Sequence, residues 1–208
     1  MEYKYVIMCG TSGNEFKVPR QLTEINNERL VDRTIRLLKE NGIKNIYISS
    51  NNPLFDSCGV ERLEHENNKY WLDAYYPFED NDKVCYIYGD VYYSENAIKT
   101  IVSINKNGNI LFGTSDAKNK YHQNWGEPFA YKVNDNKTFK EGIKTVKKMQ
   151  DEGKLKRVAI TWELYRYLNN LDVNIQNVLD KTYICIDDET MDIDTPEEIE
   201  QLRKRVEK

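Results

Sequence analysis

Apolar residues along this chain fall into two kinds of pattern. Residues 5–9, 46–50 and 84–88 are short, nearly unbroken apolar runs bounded by polar or glycine positions, which is how strands covered on both faces read. Between the first two runs, residues 30–41 place Leu30, Ile35, Leu37 and Leu38 near one helical face, and Asn41-Gly42 supplies a C-terminal stop. Residues 94–104 also predict a helix, with Ser94 as N-cap and Ile98, Ile101 and Val102 on the buried side. Residues 109–113 and 129–133 are further strands, 139–151 and 162–171 are helices, and 182–186 is a late strand. A last helix opens at Thr195-Pro196-Glu197-Glu198, where threonine caps, proline suits the first turn and the glutamates complement the helix dipole. Residues 51–82 and 115–128 are polar, aromatic and irregular, and predict no regular element.

The opening strand–helix–strand unit implies parallel pairing through a right-handed crossover. The continued alternation predicts an α/β sandwich with a mostly parallel sheet. At 208 residues the expectation is a single domain over 1–208 with a core that needs no disulfide. Charged residues at 31% and hydrophobic ones at 39% fit a soluble globular chain. A formal net charge of −4 argues against nucleic acid as a partner, which a basic stripe would serve. The basic cluster in 140–157 is broken by Glu141, Asp151 and Glu152 and reads as a solvated helix face. No apolar run approaches the roughly 20 residues a bilayer span needs, so no membrane is expected. The first five residues lack the regions of a signal peptide.

The four cysteines, Cys9, Cys58, Cys85 and Cys185, form no CxxC pair. Cys9, Cys85 and Cys185 sit in or at the end of apolar strands, which predicts buried reduced thiols and a cytoplasmic chain. His65 and His122 are the only histidines, which argues against a histidine-based metal site.

Three separated signals carry chemistry. The first strand runs into Cys9-Gly10-Thr11-Ser12-Gly13, whose small residues let backbone N–H groups curl around an anion. Lys17 and Arg20 follow, placed to neutralise phosphate charge. The loop has neither the Gly-Lys-Ser/Thr ending of a Walker loop nor the Gly-x-Gly-x-x-Gly of dinucleotide binders. On this stretch alone a plain strand-to-loop turn stands as the alternative. Next, the run 84–88 ends in Gly89-Asp90, which predicts a carboxylate at the carboxyl edge of the sheet, where α/β folds bind ligands. A hard carboxylate there suits Mg²⁺ held between protein and triphosphate. Finally, Asp192-Ile193-Asp194 puts two carboxylates on one side of an extended segment, with acidic decoration of a helix start as the bland alternative.

In this order the residues resemble the signature of the NTP-transferase superfamily: sugar-nucleotide synthases, cytidylyltransferases and molybdopterin nucleotidyltransferases. Gly10, Gly13, Pro19 and Arg20 take up its glycine-rich loop and the Pro-Lys that follows, and Gln21-Leu22-Thr23, Ile25 and the helix from Leu30 run as in that family. Cys9 stands where Ala or Gly is usual, the loop arginine is absent, and Arg20 replaces the usual lysine. The resemblance implies a three-layer α/β/α sandwich with a mixed, mainly parallel sheet, glycosyltransferase-A-like and Rossmann-related. It implies Mg²⁺-dependent transfer of NMP from an NTP, with CTP as the leading donor, to a phosphorylated sugar or small alcohol, releasing pyrophosphate. The product would be an activated unit for cell-surface polysaccharide.

Under that reading Lys17 and Arg20 hold the triphosphate, and Asp90, Asp192 and Asp194 hold the metal. Cys9, Gly10, Thr11, Ser12, Gly13, Ser49 and Gly89 line the nucleotide, with Ser50 and Asn51 beside Ser49. Acceptor contacts are expected from Trp125, Glu127, Trp162 and Glu163, with His122, Tyr131 and Arg166 as further candidates. Trp125 and Trp162 also read as ordinary packing residues. A homodimer is left open. Two other functions stay in view: a small glycosyltransferase using a nucleotide sugar, and a non-catalytic nucleotide sensor.

Overall fold

The computed structural model describes residues 2–10, 16, 18–65, 69–115, 126–175 and 179–206. The chain opens with β1 (Lys4–Met8), a small hairpin of β2 (Glu24–Ile25) and β3 (Glu28–Arg29), helix α1 (Leu30–Glu40) and β4 (Ile46–Ser49). Then come β5 (Glu61–Leu63), β6 (Val84–Tyr88), β7 (Val91–Tyr92), α2 (Glu95–Ser103), β8 (Ile110–Gly113) and β9 (Pro128–Val133). Helices α3 (Asn136–Asp151) and α4 (Thr161–Leu168), strands β10 (Tyr183–Cys185) and β11 (Met191–Asp192), and helix α5 (Pro196–Val206) complete it.

Seven strands form one sheet in the order β10-β8-β9-β6-β1-β4-β5. Neighbours β5, β4, β1 and β6 are parallel, and β10 is parallel to β8. β9 is antiparallel to both its neighbours, so it alone runs against the rest. The sheet is therefore mixed and mainly parallel, as expected. Every residue of β6, and all of β1 except Lys4, is buried. Strands buried on both faces need cover on both sides, and here α1 packs against α2 while α3 packs against α4.

The helices follow the expected spacing. In α1 the residues Leu30, Val31, Thr34, Ile35, Leu37 and Leu38 are buried, and Asn41-Gly42 closes it, Gly42 in the left-handed region at φ 81. Ser94 caps α2 by accepting the Ala97 N–H at 2.8 Å. Among the described residues no helix is long and apolar enough to cross a membrane. One expectation fails: Cys9, Cys58 and Cys85 are buried, but Cys185 is exposed. It closes the edge strand β10, where the apolar run continues in sequence but the sheet has no further neighbour to cover it.

Candidate functional site

β1 and β6 pair in parallel with Met8 opposite Tyr88, so Cys9-Gly10 and Gly89-Asp90 leave the sheet side by side. The Gly89 N–H donates to the Met8 carbonyl at 3.0 Å. A Cβ at Gly89 would stand 2.7 Å from Cys9 Sγ and 2.8 Å from the Met8 oxygen. Glycine here serves the approach of one strand end to the other, a requirement of the chain itself. Cys9 fills the space left and is almost fully buried. Burial first, then the charge of Asp90, pushes its thiol well above the ordinary range, so it stays protonated.

Asp194 arrives from the far end of the chain by three fastenings. β11 pairs antiparallel with β7, and the Ile193 N–H donates to the Asp90 carbonyl at 2.8 Å. The Ile193 side chain is fully buried in a small apolar cluster with Ile25, Leu30, Tyr92, Ile199 and Leu202. Thr195 and Glu198 form a reciprocal cap at the start of α5. Glu198 Oε2 accepts the Asp194 and Thr195 N–H groups at 2.7 and 3.0 Å, and Thr195 Oγ1 accepts the Glu198 N–H at 3.3 Å.

Arg20 joins the two acidic points. It sits in a short 3-10 turn, Arg20–Leu22, after Pro19. Its Nη2 lies 2.6 Å from Asp90 Oδ2, and its Nη1 lies 2.6 Å from Asp194 Oδ1 and 3.1 Å from the Ile193 carbonyl oxygen. Burial lowers the guanidinium pKa, but Asp90 and Asp194, with Asp192 further off, outweigh it and raise the pKa above its ordinary value. The arginine expected on phosphate thus spans two carboxylates in the structure.

These groups edge a cleft of about 720 Å³ at the carboxyl ends of β1, β4 and β6. Cys9, Gly10, Arg20 and Asp90 line one part of it, and Ser50, Asn51, His65 and Trp71 another. Ser49 lies beneath rather than in it: buried, its hydroxyl donates to the Ala74 carbonyl at 3.2 Å and sits 3.1 Å from His65 Nε2. Gly89 also falls outside the lining. Burial lowers the His65 pKa from its ordinary value, against the opposing pull of Asp73. Trp71, 41% exposed, presents a ring to the cleft while its edge contacts reach Tyr75 and Tyr88. Tyr75, Tyr88 and Thr161 join hydroxyls behind it.

Gln21 also lines the cleft beside Arg20, and it, His65 and Trp71 escaped sequence reasoning. His65 and Trp71 fall in the irregular stretch 51–82, which has no periodicity to place them. Gln21 had a signal, its place directly after Arg20. Thr11, Ser12, Gly13, Lys17, His122 and Trp125 lie outside the described residues.

Asp192 and Glu127 meet at a second cavity of about 530 Å³, with Thr114, Asp188, Thr190 and Arg205. Asp192, expected beside Asp194 at the metal, lines this cavity, whereas Asp194 pairs with Arg20. Trp162 and Glu163 line neither space. Trp162 stacks on Tyr183 at 5.6 Å inside the core. Glu163 is buried, pairs with Arg157 at 2.7 Å, and accepts the Ile160 N–H at 3.0 Å as a helix cap. Tyr131 and Arg166 are likewise buried. The family resemblance implied acceptor contacts from this stretch, but α4 turns Trp162, Glu163 and Arg166 into the protein.

The donor set at Asp90 and Asp194 fits a hard divalent cation. Two carboxylates converge on one positive group at a cleft edge. Among the described residues no set of three or more His, Cys, Asp or Glu side chains gathers to hold a metal. One or two protein carboxylates, completed by water and substrate phosphates, is how Mg²⁺ is usually held.

No family model matches this chain, and no curated protein matches it in sequence. Solved structures match it in fold along nearly its whole length. It is similar to 4-diphosphocytidyl-2C-methyl-D-erythritol synthase from Anaerococcus prevotii, with TM-score 0.66, 11% identity and 99% of each chain covered. It is similar to CTP:phosphocholine cytidylyltransferase from Streptococcus pneumoniae, with TM-score 0.60, 16% identity, and 99% of this chain and 100% of that one covered. It is similar also to the inositol-1-phosphate CTP transferase from T. maritima, with TM-score 0.59, 13% identity, and 98% and 97% covered.

Proposed function

We propose that this chain, which has the α/β fold of the NTP-transferase superfamily, is a Mg²⁺-dependent nucleotidyltransferase. It transfers NMP, from CTP first, to a phosphorylated sugar or small alcohol and releases pyrophosphate. The observation that carries this reading is the convergence of Arg20, Asp90 and Asp194 at the edge of the 720 Å³ cleft. The fold likeness supports nucleotidyl transfer, since the similar structures carry cytidylyl, CTP transferase and thymidylyltransferase names, and CTP is put first from the sequence resemblance.

The chemistry asks little of the protein beyond position and charge. An oxygen of the acceptor's phosphate attacks the α-phosphorus, the new P–O bond forms, and the bond to the β-phosphate oxygen breaks. The nucleophile is already anionic, so no general base is required. Arg20 binds phosphate oxygens through its planar fork, beside the backbone of Gly10 at the cleft. Asp90 and Asp194 would hold Mg²⁺, which when bound supplies charge neutralisation along the triphosphate. The nucleoside occupies the part of the cleft between Ser50, Asn51 and Trp71. Asp192 and Glu127 place the acceptor at the second cavity.

The test begins with unfolding in CTP, UTP, GTP and ATP, each with and without Mg²⁺. A nucleotide at 100 times its Kd adds about 2.7 kcal/mol. Pyrophosphate release is then followed with phosphorylated alcohols and sugars. Asp90→Asn should leave the fold intact and lower kcat by about 100-fold or more, the loss typical of removing one electrostatic stabiliser of the transition state. No nucleotide-dependent stabilisation, or full activity in Asp90→Asn, overturns the reading.

A further inference from the structure

We infer that Arg20 is a built-in counter-cation that keeps bare divalent metal off Asp90 and Asp194, so that the site takes metal tightly only as a metal–triphosphate complex. This rests on the proposed function above, and it gives Arg20 a part in excluding bare metal besides its part in holding phosphate.

The geometry is specific. One guanidinium gives a separate nitrogen to each carboxylate, both at 2.6 Å, and Nη1 also donates to the Ile193 carbonyl at 3.1 Å. The side chains of Arg20, Asp90 and Asp194 are 22%, 24% and 40% exposed, so the cluster is only partly open to water. A metal ion arriving alone must break both ion pairs and leave the guanidinium in this half-buried place without its partners, which is the costly way to open such a cluster. A triphosphate removes that cost. Its oxygens accept the planar fork of arginine bidentately, so Arg20 exchanges carboxylate for phosphate as the carboxylates exchange arginine for metal.

A second observation supports the exchange. Arg20 Nε is buried and has no hydrogen-bond partner among the described residues. The metal-free arrangement thus leaves one donor of the fork unused, and a phosphate oxygen facing Nε and one Nη would use it. Arginine suits this role better than lysine because a planar fork reaches two carboxylates at once, whereas an ammonium is a single point of charge.

The experiment measures Mn²⁺ binding to the full metal-free chain, without nucleotide, by the EPR signal of free Mn²⁺. Wild type, Arg20→Gln, Arg20→Lys and the double variant Arg20→Gln/Asp90→Asn are compared. Arg20→Gln should bind Mn²⁺ at least about fivefold more tightly than wild type, the lower end of ordinary coupling between two ligands. The double variant should lose that gain, which locates it at Asp90. Should Arg20→Gln fold poorly, Arg20→Lys carries the test, with Mn²⁺ raising its Tm more than that of wild type. Wild type binding bare Mn²⁺ as tightly as both variants overturns the counter-cation and leaves the proposed activity standing. No Mn²⁺ binding in any of them likewise overturns the counter-cation, since removing Arg20 then uncovers no metal site, while the proposed activity stands or falls on nucleotide-dependent stabilisation.

Discussion

Two of the arginine–carboxylate clusters in this molecule differ in reach: one joins residues up to 174 positions apart, the other residues of a single stretch. Arg20 with Asp90 and Asp194 faces the 720 Å³ cleft at the strand ends, while Arg157 and Arg166 with Glu163 sit at the start of α4 beside a smaller cavity of about 300 Å³. Glu163 and Arg166 are each about 2% exposed, and Glu163 also satisfies the Ile160 N–H that opens α4. Each contact of Glu163 serves the protein's own backbone or side chains. Arg20, by contrast, lies beside the ends of two parallel strands. Although it also donates to the Ile193 carbonyl, the segment carrying Asp194 is fastened chiefly by the β7–β11 pairing, the Ile193–Asp90 backbone bond and the Glu198 cap. What separates a structural ion cluster from one able to exchange partners is therefore whether the surrounding backbone depends on it.

The largest effect that can break this comparison comes from the buried cluster. Glu163→Ala strands Arg166 in the core and uncaps α4, and should cost about 3–5 kcal/mol in denaturant unfolding. The nucleotide response of the folded fraction should stay unchanged. A change in nucleotide affinity would give α4 a part in the site after all. Gly89→Ala probes the other region through its backbone. The added Cβ meets the Met8 carbonyl, which cannot swing aside, and Cys9 Sγ. The expected loss is about 1–3 kcal/mol, the range for overpacking, with a matching fall in turnover as Asp90 is displaced. Unaltered stability would mean that the strand ends are not in close contact.

The smallest effect concerns His65 on the cleft wall. Burial lowers its folded pKa from the ordinary 6.5. The unfolded chain therefore binds the proton more readily, so stability is complete above about pH 6.5 and falls as pH drops through that value toward the lower folded one. His65→Asn should flatten this slope in unfolding measured across pH 5 to 8. An unchanged slope would assign the titration elsewhere.

The parts of the fold that were legible are those whose signal is local. The unbroken run Val84–Tyr88 is a central strand with those bounds, and the apolar face of α1 and its Asn41-Gly42 stop are where periodicity put them. β5, with Glu61 and Arg62, was not legible because an edge strand pairs on one side only and keeps charged side chains. The β2–β3 hairpin turns on Asn26 and Asn27, both at positive φ, but two-residue strands leave no alternation to read. At the site, Asp90 was legible from its strand-end position and Asp194 from the Asp-Ile-Asp spacing and the family resemblance. Their common partner was not, because the pairing of Arg20 with Asp194 spans the fold and leaves no trace in local spacing. Trp162 and Glu163, expected at the acceptor from the family resemblance, are instead buried where α4 packs on α3, the ordinary packing role that Trp162 also suggested in sequence.

The pairing of Arg20 with Asp194 joins residues 174 positions apart, and this has a consequence for how the protein is made. At the usual pace of about 5–20 residues per second, Arg20 leaves the ribosome roughly ten to thirty seconds before its second carboxylate exists. During that time Ile25, Leu30 and Tyr92 lack the cover that Ile193, Ile199 and Leu202 later provide. The nascent chain thus carries a sticky apolar patch beside an unfinished cleft. A stall or a cut ahead of Met191 would leave a sheet largely complete yet unable to close its own site.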